Sequence, residues 1–348
     1  MRANRKSHSV RAQAALGALA VVAAFAFVIP PASAQGTELR LSTFVPPVHV
    51  IAREIIAPWM AEVEKASGGE VKPKLYPSMQ LGGSPPGLFR QAVDGVVDMV
   101  FTLPGYTSPA FPRTQMVELP GLSPDGQAAT NLLWNLLDPY LRPEYQGVKV
   151  IALWAAEDAG LMTRGKPIKS LDDIKGLRMR SPSAAQARQL QVMGATPIAM
   201  PITELYPGLD RGVIDGAMVP FSVIIDFRIG EVAKSYTIPG PLFGRSSFLI
   251  AMNQKKFDSL SPEAKAAIDR LSGRELSLKA TEIYVKRAAE GVASVRGKAE
   301  IVQFSKAEQE RIAKVLRPIV DDWVKESEAK GIPARKMLGV AKHPAGMP

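Results

Sequence analysis

Apolar and polar residues alternate from Glu38 to Thr43, the period-two signature of a half-buried strand. The loop Phe44-Val45-Pro46-Pro47 follows, and helical spacing runs from Val48 to Ala66 until Gly68-Gly69 ends it. Val71 to Tyr76 is a second strand. Ser84 and Pro85 mark a helix start, because serine can accept from a free amide and proline loses nothing at the first helical position. That helix extends to about Asp94, Gly95 stops it, and Val96 to Phe101 is apolar enough for a buried strand. The plan recurs further along. Val148 to Trp154 is a strand, Asp172 to Gly176 a short helical turn, and Leu177 to Arg180 a strand entering Ser181-Pro182, a second cap and proline. The helix they open continues to about Met193 and ends at Gly194-Ala195, and a further helix from Ile202 to Asp210 stops at Gly212 before the strand Val213 to Met218. Strands alternating with helices over short turns imply an α/β architecture.

Two passages echo one another. Gly95-Val96-Val97-Asp98 and Gly212-Val213-Ile214-Asp215 each place a helix-ending glycine, two β-branched residues and an acid at the entry of a strand. Shared helix-to-strand punctuation explains this, and so does a pair of similar α/β lobes. From Ser261-Pro262-Glu263 the pattern turns helical and runs nearly unbroken to Val295. Ile301 to Phe304 is a short strand, and Ser305 to Lys330 a last long helix with Glu308 as capping-box partner of Ser305.

The chain has 348 residues, long enough that a second domain is the default expectation. Its net charge of +10 raises the question of an acidic partner. Arg2, Arg5, Lys6 and Arg11 lie in a basic start that precedes an apolar run from Ala14 to Ile29 and the small residues Ala32-Ser33-Ala34. This is the pattern of a secretory signal peptide over 1–34, cleaved after Ala34. Lys330, Arg335, Lys336 and Lys342 give the tail four more positive charges without an acid, so leader and tail carry eight of the ten surplus charges. The body has no basic cluster interleaved with aromatics, and a nucleic-acid partner is not expected. The absence of cysteine excludes disulfides, thiolate metal sites, a cysteine nucleophile and a lipidated N-terminal cysteine.

Enzyme signatures are missing as well: there is no GxSxG elbow, HExxH, P-loop or GxGxxG opening a helix. Of three histidines only His49 sits where a site could form. No cofactor or metal is expected. What remains is an anion-binding arrangement, since Arg180 ends a strand just before a helix start, where its guanidinium and the helix amides could address one volume. Ligands of open α/β sheets gather beyond the carboxyl ends of strands. A surface arginine paired with Asp172 or Asp173 is the other reading.

The segment Pro167-Ile168-Lys169-Ser170-Leu171-Asp172-Asp173-Ile174-Lys175-Gly176-Leu177-Arg178-Met179-Arg180 closely resembles one in the DctP-type periplasmic solute-binding receptors of TRAP transporters. So do Tyr76 to Gly83, Gly194-Ala195-Thr196-Pro197, Glu204-Leu205-Tyr206, Asp215-Gly216 with Pro220, and Met252-Asn253 ahead of Leu260-Ser261-Pro262. The resemblance implies a two-lobed α/β periplasmic binding protein with a long helix spanning both lobes and C-terminal helices packed across them. On it, 35–154 and 243–285 form lobe I, 155–242 lobe II, and 286–348 the C-terminal helices and basic tail. It implies a binding protein without catalysis that captures a small organic carboxylate in the periplasm and passes it to TRAP membrane permease subunits. A receptor feeding a sensor kinase, or a secreted carboxylate-using hydrolase or lyase, are the alternatives.

The family's carboxylate-clamping arginine falls on Arg180. The amide that helps hold the carboxylate in sugar-acid receptors falls on Val219, and the second arginine of those receptors has no match around Gly160. The expected ligand is therefore a monocarboxylate with an apolar or aromatic body, held by Arg180, walled by Trp154, Met218, Phe221 and Phe44, and contacted by His49 and Gln80. Each of these aromatics could equally be ordinary core. Arg164 and Arg245 are candidates for a second cation, Arg245 more readily for a hinge or surface ion pair.

Overall fold

The computed structural model describes residues 36–341. The leader 1–34 with its cleavage site, and the tail residues Lys342 and His343, lie outside the described residues. Within them the strands, in chain order, are β1 (Thr37–Thr43), β2 (Val71–Tyr76), β3 (Met99–Thr102), β4 (Val148–Ala155), β5 (Ala159–Thr163), β6 (Arg178–Ser181), β7 (Thr196–Ala199), β8 (Gly216–Pro220), β9 (Ser235–Ile238), β10 (Ser247–Asn253) and β11 (Glu300–Gln303). They form two mixed sheets, ordered β2-β1-β3-β10-β4 and β11-β9-β5-β8-β6-β7, one in each lobe. Strands β3, β4, β8 and β10 are buried almost throughout, as near-continuous apolar runs require. Pro73 and Pro197 sit on β2 and β7, each at the edge of its sheet, where a missing amide costs no ladder bond.

The sequence echo is a shared structural device. Gly95 and Gly212 adopt φ of 74° and 69°, the left-handed conformation that ends a helix with least strain at glycine. Three residues on, Asp98 Oδ2 accepts from the Arg40 amide at 2.8 Å and from Arg40 Nε at 3.1 Å, while the Arg40 guanidinium donates to the Val96 carbonyl at 3.2 Å. In the second sheet Asp215 Oδ2 accepts from the Arg178 amide at 2.9 Å and from Arg178 Nε at 3.0 Å, and the guanidinium donates to the Gly212 carbonyl at 2.8 Å. Each acid ties β1 or β6 to the parallel neighbour it introduces, β3 or β8.

The chain passes between the sheets three times. It leaves β4 through 156–158 to enter β5, returns from β9 to β10 through 239–246, and crosses again along the helix Arg274–Val295 on the way to β11. The Leu153 amide donates to Ser277 Oγ at 3.0 Å and Thr281 Oγ1 to the Ala155 carbonyl at 3.0 Å, fastening this helix to β4. Further along, Arg287 pairs with buried Asp226 of the other lobe. The outgoing and returning segments lie side by side. The Ala156 amide donates to the Ser246 carbonyl at 2.9 Å, and Arg245, only 2% exposed, pairs with Asp158 and donates to the Ser123 and Pro124 carbonyls at 2.7 and 3.0 Å.

Two long helical runs are divided where the backbone requires it. The pattern from Ser261 to Val295 breaks at Gly273, whose φ of 100° no helix accommodates, giving Pro262–Leu271 and Arg274–Val295. Pro318 similarly separates Lys306–Leu316 from Pro318–Ala329. Ser305 does cap, accepting from the Glu308 amide at 3.2 Å, but the Glu308 carboxylate reaches the Leu171 amide at 2.6 Å and docks the C-terminal helices on the second lobe.

Arg245→Ala is expected to lower the unfolding free energy by about 2 to 3 kcal/mol, less than a fully buried pair because Asp158 is 41% exposed. Urea unfolding measures this, and an unchanged midpoint removes the hinge role.

Candidate ligand site between the lobes

The carboxyl end of β1 leads to Phe44 and that of β6 ends in Arg180 and Ser181, and a cavity lies where these ends approach. Segments of the first sheet's half supply Phe44, His49, Leu103, Tyr106 and Phe248, segments of the second sheet's half supply Arg180, Ile202, Val219, Ser222 and Phe227, and Tyr284 comes from the long crossing helix. The space between the lining atoms, counted together with the solvent at its mouth, is about 390 Å³.

Arg180 is held by parallel pairing of β6 with both neighbours, opposite Ala217 on β8 and Ile198 on β7. Its Nε donates to the Met200 carbonyl at 2.8 Å. Tyr106 lies beside the guanidinium and accepts from the Ile202 amide at 2.9 Å. Arg180 is 2% exposed, and no described carboxylate pairs with it. Burial lowers its pKa and raises that of Tyr106, each group partly offsetting the other. The surface alternative is not realised: Asp172 pairs with Lys175 and Arg311, Asp173 accepts from Ser170, and it is Arg178 that takes Asp215.

The helix after Arg180 differs from the expectation. β6 runs through Ser181, which pairs with Ala199, so the cap moves to Ser183 and the helix is Ala184–Val192. Its first amides are used internally, Ala184 donating to Ser108 Oγ at 3.0 Å and Gln186 to Ser183 Oγ at 3.2 Å. The anion-facing group is thus the guanidinium without these amides.

Of the other expected wall and contact residues, Phe44 and His49 line the cavity with Arg180. Trp154, Met218, Phe221 and Gln80 do not. Trp154 stacks on Phe101 and Phe248 with centroids 5.4 and 5.6 Å apart, so it backs the wall that Phe248 presents. Strand alternation on β8 gives the cavity Val219 and turns Met218 into the core. Phe221 covers Gly160, where any Cβ would lie 2.2 Å from its ring, and meets Tyr236 edge-on at 5.5 Å. Gln80 is an exposed loop residue. Arg164 is exposed beside Gly212, away from the cavity, and Arg245 belongs to the crossing segments. Sequence reasoning missed Tyr106, Phe227, Phe248 and Tyr284. Tyr284 carried a weak signal, a lone aromatic in a long amphipathic helix, whereas Tyr106 lies in an irregular stretch with no periodicity.

Polar groups also join the lobes around the cavity. The Val50 amide donates to Asp226 Oδ2 at 2.9 Å, across to the acid held by Arg287. Ser183 Oγ donates to Glu118, which also faces Ser247 and has no described cation beside it. Burial pushes the Glu118 carboxyl up to about 7, and that of Glu157, which accepts from the Ser222 amide at 2.8 Å, up to about 7 as well. His49 is buried too, which lowers its pKa to about 4 and leaves the ring neutral.

Residues 41–327 match the profile of bacterial extracellular solute-binding protein family 7, DctP. The chain belongs to this family. The 2,3-diketo-L-gulonate-binding periplasmic protein of Escherichia coli is 29% identical over 209 residues, 59% of this chain and 63% of that one, so the chain spans just under two thirds of that relative. A TRAP solute-binding protein of Rhodoferax ferrireducens, solved with copurified benzoate, superposes with a TM-score of 0.85 at 30% identity over 89% of this chain and 97% of that one. A marine metagenome TRAP protein specific for aromatic acids, solved with 3-hydroxybenzoate, gives 0.85 and 30% over 89% and 98%. This DctP-family protein is accordingly a two-lobed solute-binding receptor.

Glu118 ties its stability to pH in an unusual direction. Its folded pKa is raised, so its contribution is complete below the unfolded value near 4.5 and is lost as pH rises to about 7. Glu118→Gln behaves as the protonated form at every pH. Its unfolding free energy relative to the parent should therefore climb by up to about 3 kcal/mol between pH 4.5 and 7. A pH-independent difference in chemical denaturation excludes this assignment.

Proposed function

We propose that this receptor captures a small aromatic monocarboxylate between its lobes and presents it to a TRAP membrane permease without chemical turnover. The observation that carries this reading is Arg180, a buried guanidinium without a described counterion at one side of a cavity walled by Phe44, Leu103, Val219, Phe227 and Phe248. A buried cation lacking a partner costs several kcal/mol, and a ligand carboxylate meeting it bidentately offsets that cost. The apolar wall argues against a sugar acid, whose many hydroxyls would lose hydrogen bonds at about 1 to 3 kcal/mol each. Benzoate and 3-hydroxybenzoate in the two structural relatives point the same way.

The leader over 1–34, cleaved after Ala34, would export the chain to the periplasm, where such a permease draws its solute. The proposed lobes are 35–154 with 243–285, and 155–242, with 286–348 packed across them. Because the lining comes from both lobes, ligand favours the arrangement that brings them together.

Calorimetry of the purified protein with benzoate, phenylacetate, mandelate and glucuronate tests this. One or more of the aromatic acids should bind, glucuronate should not, and Arg180→Ala should weaken binding by about 2 to 5 kcal/mol. Tight glucuronate binding, an unaffected Arg180→Ala, or conversion of any acid on incubation sinks the proposal.

A further inference from the structure

Besides the charged guanidinium, the cavity carries neutral hydrogen-bond donors. His49 is 3% exposed and lines the cavity. The Ile51 amide donates to its Nδ1 at 3.2 Å. A backbone N–H can only donate, so that ring nitrogen is an acceptor and the proton of the neutral imidazole sits on the other one. No described residue accepts from it. Tyr284 meets the His49 ring edge-on at 6.0 Å and lines the same cavity, and no described group hydrogen-bonds its hydroxyl. Ser222, which also lines the cavity, is anchored through its amide to Glu157.

Neither donor is hydrogen-bonded to Arg180, whose Nε is taken by the Met200 carbonyl. Ring contacts lead from Tyr106, beside the arginine, to Phe44 at 5.6 Å, on to Phe101 at 5.7 Å, and then to His49 at 6.4 Å. A flat ligand anchored by its carboxylate at Arg180 would lie along Phe44 and direct its far edge toward His49 and Tyr284. An unsubstituted ring leaves both N–H and O–H facing carbon, whereas an oxygen substituent accepts from them.

Resting on the reading of the site as an aromatic carboxylate pocket, we propose that His49 and Tyr284 form a specificity subsite for a hydroxyl or carbonyl oxygen at the distal end of the ligand, so that the preferred solutes are oxygen-substituted aromatic acids.

Dissociation constants of benzoate, 3-hydroxybenzoate and 4-hydroxybenzoate, measured by calorimetry on the mature protein, test this. At least one hydroxybenzoate should bind about three- to tenfold more tightly than benzoate. Tyr284→Phe removes a single oxygen, and His49→Phe keeps an aromatic ring while removing the donor. The hydroxyl advantage should fall to about onefold in one or both. Benzoate binding as tightly as every hydroxybenzoate, or an advantage that survives both substitutions, overturns the subsite while leaving the carboxylate pocket standing. Failure of all three acids to bind, or Arg180→Ala binding them like the parent, removes the pocket reading and the subsite with it.

Discussion

The placement of one positive charge organises this molecule. Arg180 is buried with a backbone carbonyl and a phenol for company and no described acid to neutralise it. Proteins retain such a group only where the surroundings hold it firmly, since an unpaired buried ion is among the costliest features a fold can carry. Here β6 is pinned between β7 and β8, and the Asp215–Arg178 pair at the other end of β6 holds the strand in register. The first lobe repeats this device with Asp98 and Arg40, so both strand ends that face the cavity are set by the same acid, arginine and glycine arrangement.

The lobes are not held together by apolar contact alone. Asp226 takes the Val50 amide from one lobe and the Arg287 guanidinium from the crossing helix, and Glu118 receives Ser183 from the other side. The two sets differ in kind. Asp226 has a cation, while Glu118 and Glu157 have only neutral donors among the described residues, and burial raises the pKa of both. Buried carboxyls titrating near neutrality around a cavity resemble a catalytic arrangement. Both are engaged by serine and backbone donors at the junction of the lobes, which accounts for them structurally.

Local chemistry was readable where residues act on their nearest neighbours. The strand alternation before Phe44, the glycine stops at Gly95 and Gly212 and the caps at Ser261 and Ser305 all follow from short-range sterics and hydrogen bonding. The errors arose where a distant partner decided. Ser181 would cap a helix in isolation, but pairing with Ala199 extends the strand and passes the role to Ser183. Glu308 has the spacing of a capping box, yet the Leu171 amide claims its carboxylate. Trp154 and Phe221 have the composition of a ligand wall, and stacking on Phe101 and Phe248, or filling the space over Gly160, places them behind it.

The sequence alone therefore determined the α/β alternation, the duplicated strand entry and the candidacy of Arg180, because each depends on residues close together in the chain. Whether Arg180 would meet Asp172 at the surface or remain without a counterion in a cavity depended on tertiary structure. So did the choice of Tyr106, Phe248 and Tyr284 as its companions. Those residues come from segments far apart in the chain, and nothing in the spacing of any one segment records which side chains three crossings will bring together.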